Sequence, residues 1–161
     1  MAKRTCKGCG DKFEQVRTNQ IVCSYECATV YTTKQKEKTK TYSDHIKELQ
    51  VIVNKYIRLR DKDKPCISCL KPLLNKFDAG HYKSAGGNPE LRFNEDNIHG
   101  QCVYCNRHLH GNLINYRTNL IKRISEEKVL LLENYNLPLK LSIPEIEEMK
   151  KIYKQKIKQL C

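Results

Sequence analysis

The stretch that decides the fold runs from Cys66-Ile67-Ser68-Cys69 to Cys102-Val103-Tyr104-Cys105-Asn106. Each end is a C-x₂-C pair, and 32 residues, 70–101, lie between them. Four thiolates at this spacing suit a closed tetrahedral Zn²⁺ site, which staples and does not catalyse. The interval exceeds that of a typical zinc finger, so something is inserted in the staple. The insert reads Asp78-Ala79-Gly80-His81-Tyr82, a Gly86-Gly87-Asn88-Pro89 turn, Leu91-Arg92-Phe93, then Asn97-Ile98-His99-Gly100-Gln101. Cys105-Asn106-Arg107-His108 opens a helix. The expected order is strand, loop, strand, helix, an α+β core closed by zinc.

A second quartet lies upstream, Cys6-x₂-Cys9 and Cys23-x₃-Cys27. A knuckle this small, built around Phe13 and Val22, cannot fold on apolar burial alone, so zinc supplies its folding energy. Lys3, Arg4, Lys7, Lys12 and Arg17 surround it and are expected to contact nucleic acid. Cys161 has no near partner and reads as a free thiol. Between the quartets, Ile46, Leu49, Val53 and Tyr56 recur at spacings of three and four and predict a helix over about 43–60. Asp61-Lys62-Asp63-Lys64-Pro65 ends it, because the residue before proline resists the helical region. Beyond Cys105, Leu113, Tyr116, Leu120 and Ile124 form another stripe. Ser125-Glu126-Glu127 reads as an N-cap with acids in the first turn, and 134–138 as a break. Ser142-Ile143-Pro144-Glu145 reads as a capping box opening a last helix with Ile146, Met149, Ile152, Tyr153, Ile157 and Leu160. The expected division is a zinc knuckle (1–31), a helical linker (32–64), the zinc-stapled core (65–124) and C-terminal helices (125–161).

Composition narrows the function. The 161 residues carry 30 Lys and Arg against 18 Asp and Glu, a formal charge of +12. Two zinc ions held by eight thiolates would remove four of those charges and leave the chain strongly basic. That balance suits a polyanionic partner, and nucleic acid is the commonest one. The charge is +7 over residues 1–65, +1 over 66–112 and +4 over 113–161, so basic flanks enclose a nearly neutral centre. No window approaches 18 consecutive apolar residues, so no membrane span is expected. No apolar stretch follows Met1, so export is not expected and a cytoplasmic setting is. Nine cysteines in a reducing compartment point to metal binding over disulfides.

A histidine, then an asparagine, then a polar residue just past the last zinc cysteine is the order of the HNH, or ββα-metal, nuclease motif. Asn97 stands five residues before Cys102, as in zinc-stapled HNH cores. Asn106 directly after Cys105 is similar to the arrangement in phage junction-resolving endonucleases. More closely, Asp78-Ala79-Gly80-His81-Tyr82, Leu91-Arg92-Phe93-Asn94-Glu95, Asn97-Ile98-His99, Gln101-Cys102, Cys105-Asn106 and Gly111-Asn112-Leu113 resemble the phage lambda NinG (Rap) recombination nuclease family. The N-terminal quartet and the Arg117-bearing helix share the resemblance, which covers most of residues 5–135.

The resemblance implies a metal-dependent DNA endonuclease acting on branched recombination intermediates such as D-loops and four-way junctions, in the bacterial cytoplasm if phage-encoded. His81 would be the general base, since imidazole titrates near working pH. Asn97 would hold the strand and loop in place. Asn106 and His108 would bind one catalytic Mg²⁺ or Mn²⁺, beside two structural Zn²⁺. One departure stands out: most HNH enzymes place an acidic or histidine ligand directly before the base, where this chain has Gly80. Asp78 falls on the opposite strand face unless a bulge at Gly80 re-aims it, and His99 is an alternative ligand. Lys83, Arg92, Arg107 and Arg117 join the expected DNA contacts. His45 and His110 read as surface residues. The apolar stripes at 43–60 and 145–160 could form a homodimer seam, the natural geometry for paired cuts. Two rivals remain: a non-catalytic zinc-dependent nucleic-acid-binding protein, and a sequence-specific restriction or homing enzyme.

Overall fold

Each unit of the chain contains one short antiparallel ladder beside its cysteine quartet. The computed structural model describes residues 3–38, 40–137 and 140–160, so Cys161 and the last residue of the expected 134–138 break lie outside the described residues. Contacts divide the chain into two units, residues 1–44 and 45–161.

In the first unit, β1 (Lys3–Thr5) pairs with β2 (Lys12–Glu14), Arg4 opposite Phe13. Helix α1 (Tyr25–Lys38) follows and runs through the boundary expected at 31/32. It has no apolar face, and Thr29, Thr32 and Thr33 return their hydroxyls to carbonyls four residues back. Among the described residues of this unit, Cys6 is the one buried apolar side chain. A chain with so little burial cannot offset its conformational entropy unaided.

The second unit has two apolar clusters. Helix α2 (Tyr42–Arg60), whose first turn contains the division between units, buries Leu49, Val53 and Ile57. These pack with Ile146 and Tyr153 of α5 (Ile143–Leu160) and with Phe93 and Ile98. The second cluster joins Ile67 and Leu91 to Tyr116 and Leu120 of α3 (Leu113–Ile124) and to Val129 and Leu132 of α4 (Glu126–Asn134). Each such aliphatic side chain contributes about 1.5–3 kcal/mol on full burial. Ser125 accepts from Lys128 N to start α4, and Ser142 and Glu145 form the capping box of α5. Helices α2 and α5 are also pinned by charge. The buried Lys150 ammonium lies 2.7 Å from both Glu48 and Glu147, and His45 Nδ1 lies 2.6 Å from Glu147. His45 is therefore part of this clamp and not a surface residue.

Between the clusters, β3 (Phe77–His81) pairs with β4 (Ile98–Cys102) in unbroken register, from Phe77 opposite Cys102 to His81 opposite Ile98. No bulge occurs at Gly80. The helix expected from Cys105 is interrupted. A π-helical turn spans Tyr104–His108, and His110, Gly111 and Asn112 then take left-handed φ of +49°, +89° and +46° before α3 begins. Asp61, expected merely to end α2, is fully buried. It accepts a fork from Arg60 and the N–H of Gly100 at 2.8 Å, contacts that hold its carboxyl well below the usual carboxylate range against the opposing effect of burial.

Candidate metal centres and the cleft beside them

The two quartets share one turn. Cys6 N donates to Asp11 O and Gly10 N to Cys6 O; Cys66 N donates to Lys71 O and Leu70 N to Cys66 O. The residue after each second cysteine is left-handed, Gly10 at φ +91° and Leu70 at +59°. In each, the third cysteine's N–H reaches the first cysteine's sulfur at 3.3 Å, Cys23 to Cys6 and Cys102 to Cys66. The four sulfurs of each quartet lie within 4.8 Å of one another. Tetrahedral zinc with bonds of 2.3 Å requires sulfur–sulfur edges of about 3.8 Å. Cys9–Cys23, Cys23–Cys27 and Cys69–Cys102 stand at 3.7, 3.4 and 3.8 Å.

The thiols also show why a cation is needed. Burial pushes Cys6 up, but the N–H groups of Cys9, Cys23 and Gly8 outweigh it and bring the thiol to about 6. Neighbouring thiols, Cys27 first, push Cys23 up to about 12. In the second quartet, burial followed by the adjacent thiols pushes Cys105 to about 12. One thiolate forms readily and the crowd resists the rest until a divalent ion supplies positive charge. Both quartets can hold zinc.

Beside the second quartet lies an open cleft of about 510 Å³, walled by Ala79, His81, Tyr82, Lys83, Asn106 and His110 among others. His81 ends β3, half-buried. Its Nε2 lies 3.0 Å from the Arg92 carbonyl. A carbonyl only accepts, so Nε2 carries the proton and Nδ1 the lone pair. Burial lowers the His81 pKa, outweighing the Arg92 carbonyl, and the ring is neutral at pH 7. Asn97 is fully buried and clasps the loop after β3: Nδ2 donates to Lys83 O and Leu91 O, and Oδ1 accepts from Lys83 N. Its backbone carbonyl accepts from Tyr82 N. Tyr82 Oη in turn donates to Glu133, which also receives the Arg117 guanidinium.

Asn106 Nδ2 donates to Asp78 Oδ2 at 3.0 Å, and Arg107 forks the same carboxylate at 2.8 Å from two nitrogens. Arg107, then Asn106, hold the Asp78 carboxyl below its usual range. Asp78 thus orients Asn106 while facing away from His81 in the strand alternation. Gly80 has a steric reason to be glycine: a Cβ there would stand 2.1 Å from Gln101 Oε1. The space that a side chain at position 80 would take is filled by Gln101, whose Nε2 bonds Ser68 Oγ and Gly111 O.

Two expected ligands are displaced. His99 pairs with Gly80, so it lies on the opposite hairpin face from His81. There it is buried with Nδ1 3.3 Å from Tyr116 Oη, and burial pushes its pKa down to about 3. His108 is exposed and stacks on Tyr104, while His110, read as a surface residue, walls the cleft. His110 is exposed, as expected, and Gly111-Asn112 was the available signal of the left-handed backbone that sets it beside the open cleft. Among the expected DNA contacts, Lys83 walls the cleft. Arg92 donates to Ala85 O, Arg107 is tied to Asp78, and Arg117 to Glu133. In the first unit Lys3, Arg4, Lys7, Lys12 and Arg17 are all exposed; Lys7 lies 5.9 Å from the Tyr31 ring centroid.

A family model described as "Bacteriophage Lambda NinG protein" matches residues 31–161. The chain belongs to the NinG family. "Protein ninG" of Escherichia phage lambda is 39% identical over 191 aligned positions, covering 99% of this chain and 94% of that protein. The NinG proteins of Escherichia phage 933W and Salmonella phage P22 are each 37% identical, with the same coverage. The family-model match takes in the second cysteine quartet, and the alignments with these relatives extend over the first as well. No solved structure matches this chain. No helix among the described residues is long and apolar enough to cross a membrane.

Proposed function

We propose that this NinG-family protein is a metal-dependent DNA endonuclease of the HNH (ββα-metal) type, acting on branched recombination intermediates in the host cytoplasm. The observation that carries the reading is His81, kept neutral by burial, set in one tautomer by the Arg92 carbonyl and sharing one open cleft with Asn106. Phosphodiester hydrolysis needs a base for water and a counter-charge for the phosphoryl oxygens. Nδ1 of His81 has the lone pair to take a proton from water. Asn106 commits its Nδ2 to Asp78, which leaves Oδ1 as a hard oxygen donor, and His110 lines the same cleft as a further donor. A Mg²⁺ or Mn²⁺ bound there would polarise the phosphate and stabilise the leaving oxygen. Asn97 is a positioning residue: it fixes the loop whose carbonyl orients His81.

The test is cleavage of supercoiled plasmid, linear duplex and four-way junction DNA by the zinc-loaded protein with added Mg²⁺ or Mn²⁺. Metal-dependent cutting, fastest on the junction, is expected. Binding without cutting on all three would make the protein a zinc-dependent nucleic-acid-binding module, and fixed sites on linear duplex would make it a restriction or homing enzyme.

A further inference from the structure

The lip of the cleft combines three features. First, His110, Gly111 and Asn112 form a left-handed run, costly for His110 and less so for Asn112, that carries the chain out of the π-helical turn. Second, this run is fastened from beneath. Gly111 N donates to Cys105 O at 2.9 Å, Gly111 O accepts from Ser68 Oγ and Gln101 Nε2, and Asn112 Nδ2 reaches Cys105 Sγ at 3.6 Å. Third, the rigid lip lifts aliphatic side chains into solvent. Leu113, on the cleft wall, is 48% exposed; Ile114 is 84% and Leu109 41% exposed. Strain and exposed apolar surface are both costly, and together beside a candidate active cleft they signal a contact made in function.

The surrounding charge says which contact. Between Asp96 and Glu126 the chain has no acidic residue, and the four cations there, Arg107, Arg117, Lys122 and Arg123, outnumber the two carboxylates, Asp78 and Glu133, that pair with the first two. A ridge set in this net-positive stretch suits a polyanion with apolar faces, which is DNA with exposed bases.

We propose that Leu113 and Ile114 form an apolar wedge that inserts against unstacked bases at a DNA branch point, so that the scissile phosphate beside the branch enters the His81–Asn106 cleft. This rests on the nuclease reading and names what gives it branch preference. A continuous duplex keeps its bases stacked and offers the wedge only a charged backbone. A branch has already lost stacking, so insertion there costs little.

The test places 2-aminopurine at the centre of a four-way junction and adds zinc-loaded full-length protein in Ca²⁺, which suppresses cutting. The wild type should raise 2-aminopurine emission. The double variant Leu113→Ala/Ile114→Ala should leave emission near that of free DNA, with linear-duplex affinity unchanged. Ile114→Phe alone should keep the signal. Circular dichroism should match the wild type, since both side chains project from the surface. In Mg²⁺ or Mn²⁺ the double variant should lose about tenfold in its preference for junction over duplex. Equal emission from wild type and double variant would overturn the wedge, as would loss of self-association in place of the emission change. If the wild type cuts no DNA, the nuclease reading falls, and the emission change alone decides whether the wedge stands.

Discussion

The two cysteine quartets have the same turn and the same ligands, yet they serve units of opposite construction. Around the first, Cys6 is the one buried apolar side chain among the described residues, so a metal held by the quartet would take the place of a core. Around the second there are two apolar clusters, one of which includes Ile67 of the knuckle itself, and an Arg60–Asp61–Gly100 network centred on the buried Asp61. There the quartet fastens a hairpin end and the lip of a cleft. One ligand set can thus be a fold's main source of stability or a clamp on a site, depending on what is packed around it.

Removing zinc should separate the two units most strongly. Chelation should unfold residues 1–44, because structural zinc supplies about 10–16 kcal/mol to small modules. The α2–α5 cluster of Leu49, Val53, Ile57, Ile146 and Tyr153 should stay folded. Amide hydrogen exchange reads both at once: protection should vanish over 3–38 and persist over 46–60 and 146–158. Equal loss in both units would break the comparison.

Next in size is His81→Ala. A positioned base is worth about 10²–10⁴-fold in rate and adds little to DNA affinity, which in the proposed nuclease comes from the flanking cations. Both zinc sites should survive, since the ring contacts no cysteine sulfur. The pH profile follows from the lowered His81 pKa. The base is active when neutral, so the rate should fall only as pH drops through a value below 6.5 and stay level above it. An acid limb above pH 7 would remove His81 from that role.

Asn97→Ala tests whether the clamp extends into the loop. The change leaves Lys83 N, Lys83 O and Leu91 O without their partner in a buried setting, at a cost of about 3 kcal/mol. Urea denaturation should show that loss in the second unit while the first keeps its zinc. Activity should fall with intact DNA binding, because the Arg92 carbonyl no longer holds His81. Wild-type stability would mean that the loop is held by other contacts.

Much of this was legible before any coordinates. The cysteine spacing marked both quartets. The three-and-four spacing of Leu49 and Val53 marked α2, and Ser125 and Ser142 marked two helix starts. What escaped was set by distant partners or local backbone sign. Asp61 looks like part of a charged helix end, and only the arrival of Gly100 from β4 makes it buried. Arg107 and Arg117 look like free cations, and only the fold brings Asp78 and Glu133 to them. His108 and His110 are both exposed, but the wide turn at 104–108 and the left-handed run after it set His110, and not His108, at the edge of the cleft. Gly80, a puzzle as a missing ligand, becomes intelligible once Gln101 is seen beneath it.

The smallest effect lies in the shared turn. Both knuckles need a left-handed residue after the second cysteine, and the first has Gly10 where the second has Leu70. A non-glycine residue there costs about 1–2 kcal/mol, while glycine loses about 0.5–1 kcal/mol through the greater freedom of the unfolded chain. Leu70 is 53% exposed, so trimming it removes little packing. Leu70→Gly should therefore stabilise the second unit by under about 1 kcal/mol. Gly10→Leu meets no atom within 4 Å of the new Cβ, so it should cost a similar amount through backbone strain alone. Thermal melting of the two variants at fixed zinc should move in opposite directions. If both destabilise, Leu70 contributes a contact beyond its turn, and the equivalence of the two knuckles ends at their sulfurs.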